Sequence, residues 1–252
     1  MPPEAPPRPR FIDSHVHLAS YPDPAQCLAL AGQAPILLLT AGTGMADSLK
    51  GLELCDRNPP LVRSFVGLHP SEVLKERATT WVEEALQRAS GLGEVGLDPK
   101  YSETGPGTPQ MAAFEAQLRL AEASGKPVQV HSRGAERACL DTLGSFRLGP
   151  VLLHWFQGEP LASEAAERGY YVSVGPALLV SKKIRRIAGA WPPDRILAES
   201  DGPVGFAGLG GAAGPFAVPS VVFELSRILG TGFEEAARAT VANGLAFLGS
   251  KA

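Results

Sequence analysis

The chain has 252 residues, 44% hydrophobic and 19% charged, with a formal net charge of −3 and a pI near 6.0. That length suits one large domain or two small ones, and it can bury enough surface to fold without a disulfide staple. The mild negative charge excludes a general cationic coat for nucleic acid, while leaving room for a local electropositive site.

The opening "MPPEAPPRPR" is Pro-rich and has no apolar core. Residues 1–9 therefore read as a disordered tail and not a signal peptide, with one domain over 10–252. From there, short β-rich runs alternate with helical stretches. "RFIDSHVH" precedes "DPAQCLALAG", "PILLLTAG" precedes "ADSLKGLELCDR", "VRSFVGLHP" precedes "TTWVEEALQRAS", and "LGEVGLD" precedes "PQMAAFEAQLRLAEASG". "PVQVHSRG" then leads to "GAERACLDTLGSF", "PVLLHWFQG" to "PLASEAAERG", and "YYVSVGPAL" to "SKKIRRIAGA". The eighth run, "RILAESDGP", is followed by "VPSVVFELSRIL" and "FEEAARATVANGLAFLG". Strand centres such as "PILLL" are continuously apolar, as in parallel strands covered on both faces. Eight β/α units in a chain of this length predict a TIM (β/α)8 barrel. An open doubly wound sheet is the rival, but "AGTGMADS" lacks the third glycine of a dinucleotide-binding turn. Cys27, Cys55 and Cys139 fall in helical stretches without metal-type spacing and read as reduced thiols of a cytoplasmic protein. No apolar run approaches the roughly 20 residues of a membrane span.

In such barrels the chemistry sits at the C-terminal ends of the strands. The first strand ends with His15 and His17, two apart and so on one face of a strand. The third ends with His69, the fourth carries Glu94 and Asp98, and the fifth ends with His131 and Arg133. The sixth ends with His154 and the eighth with Glu199 and Asp201. All five histidines stand at predicted strand ends and none in a predicted helix. A lone buried histidine is usually a satisfied core residue, and a lone strand-end aspartate is often a helix cap. So many imidazoles and carboxylates converging on one mouth would instead be costly to desolvate without a cation. Six candidate ligands, four of the histidines with Glu94 and Asp201, exceed the three that one catalytic zinc takes from protein, so they predict a pair of divalent ions and hydrolytic chemistry. Imidazole and carboxylate without thiolate leave Mg, Mn, Zn or Co open.

Cationic and aromatic residues flank this mouth. Arg133 can grip phosphate or pair with a carboxylate behind a ligand. Lys182 opens the helix after the seventh strand, whose N-terminus favours anions; Arg185 and Arg186 read more as a solvated face, and Lys100 as a surface lysine. Trp155, Phe156 and Tyr101 are placed either to stack on a base or to pack the rim.

"FIDSHVHL", "GLHP", "GEVGLD", "VHSRGA", "LHWFQG" and "ESDGP", in this order and spacing, resemble the TatD family of metal-dependent deoxyribonucleases in the amidohydrolase-like TIM-barrel superfamily. The likeness spans about Arg10 to Gly249. It implies one metal on His15, His17, Glu94 and Asp201 and a second on Glu94, His131 and His154, with Glu94 bridging. Glu94 stands where wider relatives often carry a carbamylated lysine, which speaks against a dihydroorotase or phosphotriesterase. Asp201 is also placed as general base. The resemblance further implies an exonuclease cleaving DNA phosphodiesters, with a pocket suited to single-strand ends. His69 joins Arg133 and Lys182 as a substrate-binding candidate. After the eighth strand, "GFAGLGGAAGPFAVPS" replaces the Asn-Pro segment common in the family and predicts a flexible loop. "HSRGA", "LHWFQG", "VSVGPALLVSKK" and "YPDP" resemble the QatD-like branch, nucleases of a bacterial antiphage defence system, and imply defence-system partners. The competing functions are hydrolysis of another ester or amide on the same metals, for example as a D-aminoacyl-tRNA deacylase, and a non-catalytic subunit of a defence complex.

Overall fold

Parallel pairing runs from the first strand to the eighth in chain order. The strands are β1 (Phe11–Val16), β2 (Ile36–Ala41), β3 (Val62–Val66), β4 (Gly91–Gly96), β5 (Val128–His131), β6 (Val151–Leu153), β7 (Tyr171–Val174) and β8 (Ile196–Ala198). Between and after them lie α1 (Pro24–Gln33), α2 (Met45–Arg57), α3 (Thr80–Arg88), α4 (Pro109–Ser124), α5 (Glu136–Leu143), α6 (Ala162–Glu167), α7 (Lys182–Ala190), α8 (Val218–Leu229) and α9 (Phe233–Phe247). This computed structural model describes residues 9–76, 80–206 and 211–249; the expected tail, apart from Pro9, lies outside them. The predicted barrel and each of its eight β/α units are present.

Local sequence sets several helix ends. Thr108 caps α4 by accepting from the Met111 N–H, with Pro109 behind it, and Gly125 ends the helix at φ 65°. Ser181 caps α7 by accepting from the Ile184 N–H.

The seam between β1 and β8 closes without a regular ladder. The Asp201 N–H donates to the His15 carbonyl at 2.9 Å and the His17 N–H to the Gly202 carbonyl at 2.7 Å. Below them, the Ser200 N–H donates to Asp13 Oδ1 at 2.8 Å. Asp13 is fully buried, and burial raises its carboxyl to about 7. This seam ties the two strands that carry His15, His17 and Asp201.

Two apolar cores result. The outer one lies between strands and helices and takes Phe11 and Val16 from β1, and Leu92 and Val95 from β4. The inner one fills the lower barrel with Ile12, Leu37, Leu39, Phe65, Leu152, Tyr171 and Leu197, and is plugged by Phe247 of α9. Phe247 stacks on Phe65 at 5.8 Å and meets Tyr171 edge-on at 5.6 Å.

Strand parity changes twice. Asp13 pairs with Leu38 but Val16 with Thr40, so β1 spends one extra residue there. Leu92 pairs with Val128 but Val95 with Val130, so β4 does the same. These are β-bulges, which re-aim side chains. In β1 the bulge lets Ile12 face inward below while His15 and His17 face inward above. In β4 it falls beside Glu94. Just beyond, a β-carbon on Gly96 (φ 145°) would collide with the His131 carbonyl oxygen, so close strand approach excludes a side chain there.

In the loop after β8, the described parts pair antiparallel as β9 (Gly205–Phe206) and β10 (Gly211–Ala212) and then turn through Pro215–Ala217. Residues 207–210 of it lie outside the described residues. Among the described residues, no single helix is long and apolar enough to cross a membrane.

Candidate metal centre

Three histidines present the same nitrogen to one point. The His15 Nδ1 faces Gln129 Oε1 at 2.7 Å, the His17 Nδ1 the Ala41 carbonyl at 3.0 Å, and the His154 Nδ1 Glu199 Oε2 at 2.7 Å. The Gln129 and Ala41 oxygens only accept, as does Glu199 when ionised, so each Nδ1 carries a proton and the Nε2 of each neutral ring offers a lone pair. Gln129 is itself oriented, since its amide donates to the Ser14 carbonyl at 2.9 Å.

The lone pairs meet more acceptors. The His15 and His17 Nε2 atoms lie 3.3 Å apart. Asp201 Oδ1 lies 3.3 Å from the His17 Nε2 and 3.8 Å from those of His15 and His154. That oxygen is buried and has no hydrogen-bond partner. Glu94 Oε2 lies 3.5 Å from the His15 Nε2 and 3.4 Å from the His17 Nε2. A buried cluster of lone pairs and carboxylate oxygens is unfavourable by itself and is satisfied by a cation. The residues present therefore fit a divalent ion.

The other Glu94 oxygen faces a second group. Glu94 Oε1 lies 2.6 Å from the His131 Nδ1, 3.6 Å from the His69 Nε2 and 3.9 Å from the His154 Nε2. Asp98 Oδ2 takes the His131 Nε2 at 2.9 Å, which leaves the Nδ1 for the Glu94 side. Without a metal, burial opposes a charged His131, but Glu94 and Asp98 override it and raise it to about 9. His15 behaves alike: burial opposes its charge, and Glu94, Asp201 and Glu199 raise it to about 9. Burial and the charge of His15 lower His154 to about 3. Glu94 is buried, yet the surrounding histidines hold it well below the usual carboxylate range.

His69 differs in tautomer. The Ser71 backbone N–H donates to its Nδ1 at 3.1 Å, so in the neutral ring the proton sits on the Nε2, facing the cavity. Burial lowers its pKa to about 4, which keeps the ring neutral. His69 thus presents a donor where His15, His17 and His154 present acceptors.

A cavity of about 490 Å³ opens above these groups, lined also by Tyr101, Arg133, Trp155 and Gln157. All six predicted ligands converge there, and His69 joins them. Arg133 reaches the cavity but pairs with Asp98 at 2.7 Å, the carboxylate that orients His131. Lys182 is exposed and does not line the cavity; its neighbour Lys183 reaches Gln157 Oε1 at 3.4 Å. Arg185 and Arg186 are held by Glu224 and Glu159, in keeping with a surface role. Phe156 is no rim residue: it is 2% exposed and packs on Trp191 in the outer core. Gln129 was missed by sequence reasoning, although a polar residue inside the apolar strand "PVQVH" was the available signal. Asp98 and Glu199 stood at strand ends without an assigned role; here they orient His131 and His154.

A model of the family described as TatD related DNase matches residues 12–249. The human deoxyribonuclease TATDN3 is 30% identical over 213 residues, 77% of this chain and 78% of that protein. The 3′-5′ ssDNA/RNA exonuclease TatD of Edwardsiella piscicida is 30% identical over 192 residues, 72% of this chain and 74% of that protein. Among solved structures, the TatD homolog YJJV of Escherichia coli k12 superposes with a TM-score of 0.82 at 25% identity, covering 94% of this chain and 97% of that one.

Proposed function

The chain belongs to the family of TatD-related DNases and is a metal-dependent hydrolase of that type, and from this premise we propose that it is a deoxyribonuclease trimming single-stranded DNA ends. Two divalent ions, Mg, Mn or Zn, would be held by His15, His17, Glu94 and Asp201 on one side and by Glu94, His131 and His154 on the other. The observation that carries the two-ion reading is the division of the Glu94 carboxylate, with Oε2 toward His15 and His17 and Oε1 toward His131. When bound, such ions activate water and stabilise charge on a phosphodiester.

The rest falls to the chain. Gln129, Ala41, Glu199 and Asp98 fix the ligand rings, so little reorganisation accompanies binding. Asp201 Oδ1, lacking a hydrogen-bond partner of its own, is placed to accept the proton of the attacking water. The His69 Nε2–H and the Arg133 guanidinium point donors at the cavity, where phosphate oxygens would lie. Lys182, exposed and outside the cavity lining, serves longer-range attraction of the strand. Unpaired thiols at Cys27, Cys55 and Cys139 suit work in the reducing cytoplasm. Service in antiphage defence is supported only by the QatD-like segments, and phage plating with and without the Glu94→Ala protein tests it.

The nuclease reading is tested with 5′- and 3′-end-labelled single- and double-stranded oligonucleotides, with Mg, Mn and Zn in turn. Stepwise shortening of single strands that stops with a chelator is expected. Metal-loaded protein that leaves every oligonucleotide intact while hydrolysing other esters would overturn it.

A further inference from the structure

We propose that Trp155 is the base platform of this site: it stacks on the terminal nucleobase and makes binding depend on that base being present. The inference rests on the nuclease reading. Three observations carry it. Trp155 follows ligand His154 directly and has φ 40°, in the left-handed region that bulky residues rarely enter. Such outliers persist only where the surroundings hold them, and they gather at functional sites. The neighbouring His154 ring is itself held, its Nδ1 facing Glu199 Oε2 at 2.7 Å.

The second observation is where the bend sends the rings. Phe156 turns into the outer core and is 2% exposed, while Trp155 stays half-buried and lines the cavity. Its ring stands edge-on to His154, with centroids 6.3 Å apart at 80°. Trp155 also packs partly against the outer core, so that the cavity side of its ring is backed by apolar contacts.

The third is the order of rings along the mouth. His69 lies 5.7 Å from Tyr101 and 4.6 Å from His131, and His131 lies 6.3 Å from His154. Trp155 and Tyr101 thus end a row of imidazoles. A phosphate held beside the imidazoles puts its own sugar and base within reach of one of those ends. Tyr101 is exposed and also faces Lys100, whereas Trp155 is half-buried and directly follows His154, whose ring Glu199 holds. Trp155 is the better-anchored platform.

The test compares single-stranded oligonucleotides with a normal 3′-terminal nucleotide and with an abasic one, using Mn-loaded enzyme, with KM, kcat and metal content measured together. The parental enzyme is expected to favour the base-bearing end by on the order of 10- to 100-fold in KM. Trp155→Leu, which keeps apolar bulk without a π face, is expected to bring the two KM values together. Trp155→Phe is expected to recover part of the gap. A purely structural role would lower both substrates alike or empty the metal site in Trp155→Leu, and either result overturns the proposal. An unchanged KM gap in Trp155→Leu overturns it as well. A parental enzyme inert on both oligonucleotides would instead fail the nuclease reading, and this one with it.

Discussion

The two ends of the barrel interior are built from the same strands and have opposite chemistry. At the lower end β1 supplies Ile12, β6 Leu152 and β8 Leu197, sealed by Phe247. A few residues further along, β1 supplies His15, β6 is followed by His154, and β8 by Glu199 and Asp201. Both ends are buried. The lower end gains from removing apolar surface from water, at roughly 25 cal/mol per Å². The upper end brings carboxylates and imidazoles together, which costs free energy until positive charge, from protons on His15 and His131 or from a metal ion, is supplied. Stability is therefore concentrated below and chemistry above, within one strand length.

Substitutions at each end should separate the two functions. The largest effect is expected for Glu94→Ala, which removes both carboxylate oxygens facing the two histidine groups. Hydrolysis should fall by about 10⁴-fold or more, beyond what loss of one general base costs, while circular dichroism shows the barrel still folded. Retained hydrolysis at saturating metal would break the bridging assignment.

Asp201→Asn comes next. Asp201 sits at φ 52°, a conformation that asparagine tolerates, so the backbone is not the variable. The amide oxygen can still coordinate but cannot take a proton at neutral pH. A loss in kcat of about 10²–10⁴-fold is expected, with most of the metal retained. Single-turnover rates and metal analysis on one preparation check this, and parental turnover would remove the base role.

The lower end should respond in the other currency. Phe65 is fully buried and stacks on Phe247, so Phe65→Ala should cost about 3–5 kcal/mol of stability. Urea denaturation measures this. The rate per folded, metal-loaded molecule should stay near parental; a rate that falls with stability would show the two ends are coupled.

The smallest effect probes the boundary between them. Gln129 lies inside β5 and fixes the His15 tautomer. Gln129→Ala should weaken metal binding by about 10- to 100-fold, and Gln129→Glu, which keeps an acceptor, should recover much of it. Competition with a metal-sensitive chelator measures both. Equal affinities in the two variants would mean that Gln129 does not hold the ring.

The barrel and its polar end are legible along the chain. Strand and helix periodicity is local, so "PILLL" and "PQMAAFEAQLRL" declare their states without knowing their neighbours. Placing every histidine at a strand end then followed from counting along the chain. How those residues face is set by packing between strands. The extra residues in β1 and β4 become visible as bulges only against the partner strand, because parity is a property of the pair. The tautomers of His15, His17, His154 and His69 depend on oxygens and N–H groups that the fold brings to each Nδ1, from as near as Ser71 and as far away in sequence as Gln129. "HWF" likewise looks like two adjacent rim aromatics; Phe156 is buried in the core, while Trp155, at a left-handed turn, packs partly on that core and lines the mouth. Spacing tells which residues arrive at the site, but the nitrogen each one offers there is set by hydrogen bonds to neighbours that the fold supplies.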